Sequence, residues 1–244
     1  MDTCDICLGT YNWFNSLNEK LIIWLCLECN KVLLCYGTYT NLELLEHYGF
    51  LLNENPNDKV YIPLEPDIYS SSSWPKDSLY IHQNGKPSFA LLSALRLCAT
   101  PPNQRRSVGH LAYSGSQLST ENEVFVMEWI AKKCHFILEN LPTTVEEDSL
   151  LLLTIDKMHD LHNPIKFEDM PSASRQEVCT FLEANGLQGG GCGAELLLSR
   201  KILRSMDRWK LAVQWRLSFK KILVDCIYYC TEIIHSISSQ NVST

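Results

Sequence analysis

Four cysteines near the N-terminus have the spacing of metal ligands. Cys4 and Cys7 form one C-x2-C pair, and Cys26 and Cys29 form a second. Thiolates at this spacing can bind one zinc ion in a tetrahedral site. The surrounding residues fit zinc knuckles poorly, because the second pair lies in the apolar run LIIWLCLEC. We therefore predict buried free thiols and no metal, with a small zinc module as the alternative.

Two tyrosines, each followed by a glycine, lie at the two ends of a short amphipathic segment. The pairs are Tyr36–Gly37 and Tyr48–Gly49. From residue types alone, these aromatic side chains are interpreted as core residues at a point where the chain crosses itself. The repetition of the pair indicates that the segment has a defined start and end.

The same segment predicts a strand followed by a short helix. The apolar run over residues 31–37 is typical of a buried strand. We expect Thr40 to cap the helix and Gly49 to end it. The apolar positions of this helix recur at threefold spacing: Leu42, Leu45 and Tyr48. A loop and a second short strand, residues 60–64, are expected next.

The chain after residue 65 predicts helices joined by polar loops. The clearest periodic stretches are SFALLSALRLCA, ENEVFVMEWIAKKCHFILENL, SRQEVCTFLEANG and a long run from Glu195 to about Ser236. The glycine-rich loop Gly189–Gly193 precedes that last run. It could bind phosphate, but it lacks both nucleotide-binding fingerprints, so we interpret it as an inter-helix linker.

The last helix combines an apolar stripe with many basic residues. The stripe comprises Ile202, Met206, Trp209, Val213 and Leu217. The basic residues around it are Arg200, Arg204, Arg208, Arg216, Lys220 and Lys221. We predict a core helix with a solvated basic face, and a nucleic-acid site or a surface for an acidic protein are the alternatives.

Composition narrows the class of protein. The 244 residues include 45% hydrophobic residues and carry a formal net charge of −7. This balance argues against a general nucleic-acid binder, since phosphate binding needs a basic surface. The early residues are unlike a secretory signal, and the early apolar run is too short to span a bilayer. The 11 cysteines are read as reduced thiols, which predicts a cytoplasmic or nuclear location and leaves the chloroplast open.

The segment between the two Tyr-Gly pairs, with the NPND that follows, resembles the C-terminal end of the SET domain in the Rubisco large-subunit methyltransferase-like class, which includes the plant SET-domain-group proteins. The matching positions are Tyr36, Gly37, Asn41, Leu44, Leu45, Tyr48, Gly49 and Phe50. Residues 141–153 and 212–223 resemble the helical substrate-binding domain that follows SET in this class. The resemblance implies a mainly α protein with a small β-containing SET remnant before an all-helical domain. Its parts are an atypical segment 1–30, the end of SET 31–64, and the substrate-binding domain 65–240.

The resemblance also implies roles for three aromatic residues. Tyr36 corresponds to the catalytic tyrosine, Tyr48 to a tyrosine that lines the channel for the substrate lysine, and Phe50 to the aromatic residue near the adenine of the cofactor. The implied reaction is methyl transfer from S-adenosyl-L-methionine to a lysine of a protein substrate. Such an in-line displacement depends mainly on positioning. Neither a nucleic-acid nor a membrane partner is expected.

One departure from the family pattern limits this expectation. The chain contains no Asn-His dipeptide, and no Gly-x-Gly precedes Lys31. Both belong to the cofactor side of SET domains in this class. We therefore expect a shortened form with an incomplete cofactor site and little or no activity of its own. A non-catalytic helical protein-binding module is the alternative.

Overall fold

The computed structural model describes residues 23–26, 31–34, 37–159, 172–186 and 200–242. The chain divides into two compact units, Met1–Tyr39 and Thr40–Thr244. In the first unit, strands β1 (Ile23–Cys26) and β2 (Lys31–Leu34) form an antiparallel hairpin. Their register places Trp24 opposite Leu33. β-branched and aromatic residues favour such pairing, and the predicted strand is confirmed over its first four residues.

The second unit begins with a helix whose two ends are fixed by its own sequence. Helix α1 spans Asn41–Tyr48. The Thr40 hydroxyl accepts a hydrogen bond from the Glu43 backbone amide, and the Glu43 carboxylate accepts one from the Thr40 amide. Gly49 ends the helix in the left-handed conformation, with φ 73°. Both predicted ends of this helix are confirmed.

A small two-stranded sheet follows the helix. Strand β3 (Lys59–Val60) pairs antiparallel with β4 (Ile81–His82), and helix α2 (Pro66–Ser71) and a 3-10 turn (Lys76–Ser78) lie between them. The predicted strand 60–64 is shorter than expected, since Pro63 cannot donate to a ladder. Helix α2 begins at Pro66, as helices often do.

Six longer helices make up the rest of the described unit, and the mainly helical fold class is confirmed. They are α3 (Phe89–Ala99), α4 (Pro102–Ser114), α5 (Thr120–Glu139), α6 (Val145–His159), α7 (Ser172–Ala184) and α8 (Arg200–Val242). The sequence did not predict α4. Only Ala112 is buried in it, so it has almost no apolar stripe to recognise.

Two hydrophobic clusters share helix α8. The larger one joins the small sheet, α2, α3 and α5 to the C-terminal half of α8, where Leu223, Cys226 and Cys230 are fully buried. The smaller one joins α6 and α7 to the N-terminal half of α8 through Met206 and Val213. With 43 residues, α8 is about 65 Å long at 1.5 Å per residue, which is enough to serve both clusters.

The small sheet meets α8 at a glycine. Gly85 lies just after β4 with φ 74°, and a Cβ built there would lie 2.6 Å from the backbone carbonyl carbon of Asp225. No side chain fits at that distance, so the turn can approach the helix backbone only because residue 85 is glycine.

Candidate functional site

The two glycines of the Tyr-Gly pairs share one backbone conformation. Gly37 has φ 85° and Gly49 has φ 73°, both in the left-handed region that glycine adopts without strain. Each pair therefore marks a sharp change of chain direction. Tyr36 lies outside the described residues, so its catalytic assignment stays a prediction.

Tyr48 and Phe50, the other two predicted site residues, are close to each other. Tyr48 is the last residue of α1, and its side chain is 49% exposed. Its ring centroid lies 6.2 Å from that of the half-buried Phe50, at an interplanar angle of 46°. The His47 ring lies 6.3 Å from Tyr48 in an edge arrangement. An aromatic pair of this kind can line an apolar passage or stack on a planar ligand.

A buried asparagine anchors the helix that carries this pair. The Asn41 side-chain amide donates to the Leu52 carbonyl and to the Asp58 carboxylate, both at 3.1 Å. Its carbonyl oxygen accepts from the Leu52 amide at 3.0 Å and from the Asn55 side chain at 3.3 Å. Asn41 is 5% exposed and fully hydrogen-bonded. It fixes the loop after Phe50 against the start of α1.

Asp58 completes this network from the far end of the loop. Its carboxylate also accepts from the Asn41 backbone amide at 3.1 Å, so it caps α1 from a distance in sequence. Burial raises the pKa of Asp58, and the hydrogen bonds from Asn41 offset only part of that rise. Asn41 is one of the positions that match the family pattern, but the resemblance implies no function for it. The structure shows its role to be positional.

A second polar cluster joins three helices. Asp148 of α6 is paired with Arg216 and Lys220 of α8, with shortest nitrogen–oxygen distances of 2.6 Å in both pairs. Arg216 also pairs with Glu177 of α7 at 2.9 Å. The Lys220 amine donates in addition to the Thr143 hydroxyl at 2.7 Å and to two backbone carbonyls before α6.

This cluster corrects the predicted basic face of α8. Asp148 and Lys220 are fully buried, and Arg216 is largely buried, so two of the six predicted surface cations lie inside the protein. The sequence contained a signal for Lys220, which lies three residues after Leu217 and seven after Val213, on the apolar face of the helix. Burial alone would raise the pKa of Asp148, but hydrogen bonds from Arg216 and Lys220 lower it below its ordinary value.

The cluster also connects the two stretches on which the helical-domain resemblance rests. Residues 141–153 supply Asp148 and Thr143, and residues 212–223 supply Arg216 and Lys220. These stretches are distant in sequence and meet through charged side chains. The contact between the two stretches is therefore a structural reason for both of them to match the family pattern.

The predicted absence of metal is not tested at the N-terminal cysteines. The side chains of Cys4, Cys7, Cys26 and Cys29 lie outside the described part of the chain, as does the loop Gly189–Gly193. Within the described part, no group of three or more His, Cys, Asp or Glu side chains is placed to hold a metal ion. The described ranges also contain no helix long and apolar enough to cross a membrane.

Comparison with known proteins agrees with this architecture. The family model described as Rubisco LSMT substrate-binding matches residues 42–223. Protein SET DOMAIN GROUP 40 of Arabidopsis thaliana is 53% identical over 211 residues, which are 85% of this chain and 43% of that protein. The actin-histidine N-methyltransferases of Otolemur garnettii and Homo sapiens are each 27% identical over 154 residues, which are 54% of this chain and 25% of each enzyme.

The chain thus spans less than half the length of these curated relatives. The family match begins inside α1, includes both hydrophobic clusters up to Leu223 of α8, and contains the whole Asp148–Arg216–Lys220 network. On this match and on the similarity to a plant SET-domain protein, the chain belongs to the Rubisco LSMT substrate-binding family of methyltransferase-like SET proteins.

Proposed function

We propose that this chain is the substrate-recognition part of a protein-lysine N-methyltransferase of the SET class that uses S-adenosyl-L-methionine. By itself it is catalytically incomplete. One observation carries the proposal: the family match begins at residue 42, within the helix that holds Tyr48. This start supports the proposal that the end of a SET domain and the helical domain are continuous in this chain.

The proposed roles of three aromatic residues are those that the family resemblance implies. The hydroxyl of Tyr36 would lie beside the target nitrogen and position it. Tyr48, exposed at the end of α1, would line the passage for the lysine side chain. An aromatic passage desolvates the amine and lowers its pKa, which favours the neutral nucleophile.

The cofactor fits one described feature of this chain. Phe50 is half-buried and lies beside Tyr48, so it offers an aromatic surface on which an adenine can stack. When bound, S-adenosyl-L-methionine supplies an activated methyl group on a sulfonium. The sequence motifs that would complete its site, Asn-His and an early Gly-x-Gly, are missing from this chain.

Histidine is the second candidate target. The mammalian relatives are named as actin-histidine N-methyltransferases, and they match just over half of this chain. An imidazole is neutral at physiological pH more readily than an amine, so it needs less desolvation to act as a nucleophile. The acceptor residue therefore separates the two candidates experimentally.

Calorimetric titration with S-adenosyl-L-methionine tests whether the cofactor site is incomplete. The chain alone is compared with a chimera in which residues 31–244 replace the matching region of the Arabidopsis relative. We expect the chimera to bind at least about tenfold more tightly than the chain alone, a difference of about 1.4 kcal/mol. Equal affinity would contradict the proposal, because the site would then be complete within this chain. The unaltered Arabidopsis protein is the control for the chimera.

A further inference from the structure

Two adjoining open grooves lie on the surface of the helical unit, on either side of Phe125. The first lies between α2, α3 and α5, and the second lies between α4 and the start of α5. The first has a volume of about 380 Å³ and the second about 390 Å³. Both are lined by Ala99 and Phe125. Together they form one elongated depression, called the α3–α5 groove below. It runs from α2 past Phe125 to α4, and this elongated course suits an extended chain better than a compact small molecule.

The floor of the α3–α5 groove is apolar. Ile68, Leu95 and Val126 line the first part and belong to the buried core. Phe125 stands between the two parts with 55% of its side chain exposed, and Trp129 is half-buried beside it. Exposed aromatic rings next to concave apolar surface are typical of protein-binding sites.

All charged side chains that line the groove are acidic. They are Glu65 and Asp67 in the first part and Glu121 in the second. A lysine of the protein itself illustrates what this surface attracts. Lys133 forms an ion pair with Glu65, and its amine lies 5.1 Å from the Trp129 ring centroid. A cation thus finds both a carboxylate and an aromatic face at this edge of the groove.

Asn122 lies beneath the groove and joins two of the helices that line it. The side-chain amide nitrogen of Asn122 donates to the Arg96 carbonyl and the Thr100 hydroxyl, which fixes its orientation. Its carbonyl oxygen is buried and has no hydrogen-bond partner among the described residues. Through these two hydrogen bonds Asn122 fixes the first turn of α5 to the end of α3, so the walls of the groove are held in place.

We propose that the α3–α5 groove binds an extended segment of the protein substrate in which lysine or arginine alternates with large apolar residues. This inference rests on the proposed function, since it takes the substrate to be a protein. The apolar residues pack on Phe125 and Trp129, and the cations face Glu65, Asp67 and Glu121. The acidic lining disfavours a phosphate-bearing ligand.

Fluorescence anisotropy with the full 244-residue chain tests the groove. The probe is a short fluorescein-labelled peptide in which lysines alternate with leucine and phenylalanine. One comparison peptide carries glutamate in place of lysine, and another carries serine in place of the apolar residues. We expect the first peptide to bind at least about tenfold more tightly than either comparison peptide. Binding that is equal across the three peptides, or not detectable, would refute the proposal.

Two phenylalanines of α5 provide a matched pair of variants. Phe125 lines the groove and Phe136 does not, yet the two are 55% and 58% exposed. We expect Phe125→Ser to weaken binding of the basic peptide by about tenfold, as loss of a central aromatic anchor does, and Phe136→Ser to leave it unchanged. Circular dichroism melts of both variants check that the fold is kept. Equal effects of the two substitutions would overturn the assignment of the groove.

The acidic residues offer a second, independent pair. Glu65→Gln with Glu121→Gln removes two lining charges, whereas Glu128→Gln with Glu139→Gln removes two exposed charges of α5 outside the groove. Net charge changes equally in both double variants. We expect only the first to weaken peptide binding, and to reduce its dependence on salt. An equal effect in the control would show long-range attraction by net charge and refute the site.

This experiment is independent of methyl transfer. The peptide-binding assay needs no cofactor. A chimera that binds the peptide but transfers no methyl group would therefore refute the proposed function and leave the assignment of the groove intact. An active chimera whose methylation of protein acceptors is unaffected by Phe125→Ser would refute the groove alone.

Discussion

Asn41 shows how one residue can position a site without taking part in chemistry. Its side chain bonds to Leu52, Asn55 and Asp58, which spread over the loop that follows Tyr48 and Phe50. The Asp58 carboxylate in turn binds the first amide of α1. The direction of the helix and the path of the loop therefore depend on the same buried groups.

Replacement of Asn41 by alanine should destabilise this unit strongly. The buried Asp58 carboxylate and the buried Asn55 side-chain amide would each lose a hydrogen bond, and a buried polar group left unsatisfied costs about 1–3 kcal/mol. We expect a total loss of about 2–4 kcal/mol in urea unfolding. Asn53→Ala, at an exposed position of the same loop, is the control and should change stability by less than about 0.5 kcal/mol. If the two variants unfold at the same urea concentration, Asn41 is not the anchor.

The local features of this site were predictable from sequence, whereas the network was not. Thr40 and Gly49 act within one helical turn, so their residue types alone indicate the cap and the end of α1. Asn41 and Asp58 are 17 residues apart and lie on a helix start and a loop. Neither position has a periodicity that indicates burial, and only the folded chain brings them together.

At the scale of elements, α8 organises the helical unit, and its charged residues set its register against α6. Arg216 and Lys220 approach Asp148 from successive turns of α8. Because the pKa of Asp148 is lowered in the folded protein, its carboxylate stabilises the fold above the ordinary carboxyl pKa of 3.8. That contribution is lost as the pH falls below 3.8 and through the lowered folded value.

Two lysines of α8 that pair with acids of α6 allow a direct comparison. Lys220 is buried against Asp148, whereas Lys210 pairs with Asp156 at the surface. Lys220→Met should cost about 3–5 kcal/mol, because it removes one partner of a buried pair. Lys210→Met should cost less than about 1 kcal/mol, as exposed pairs contribute little. Chemical denaturation of both variants at pH 7 measures the difference, and similar losses would show that the buried cluster does not hold the two helices together.

Helix periodicity predicted most of these elements, and its failures have physical causes. The buried stripes of α5 and α8, with Met127, Ile130, Met206 and Val213, are where the pattern indicates. Helix α4 was not predicted, because it buries little apolar surface and so has no clear apolar stripe. The prediction of a solvated basic face on α8 was wrong at Arg216 and Lys220, which pair with Asp148. Lys220 lies on the apolar face of α8, but a lysine counts as polar in a periodicity pattern, and the sequence does not show that Asp148 pairs with it there.

At the scale of the whole molecule, a substrate-binding unit is present, whereas motifs of the cofactor site are missing. The helical unit belongs to a substrate-binding family, and its acidic, aromatic α3–α5 groove offers a place for a protein segment. Both expected cofactor motifs, Asn-His and an early Gly-x-Gly, are missing from the sequence. Under the proposed function, this chain recognises the substrate, and methyl transfer requires the complete set of SET motifs.

Methyl transfer by the chimera tests this account most directly. Tritiated methyl groups are followed from S-adenosyl-L-methionine into a heat-treated leaf protein extract, and acid hydrolysis identifies the labelled amino acid. We expect methyl-lysine from the chimera. Tyr36→Phe should lower the rate by about 10², because the hydroxyl acts in the transition state, while Tyr39→Phe, the nearby control, should leave the rate unchanged. An unlabelled extract, label in methyl-histidine, or equal rates for the two tyrosine variants would contradict the account.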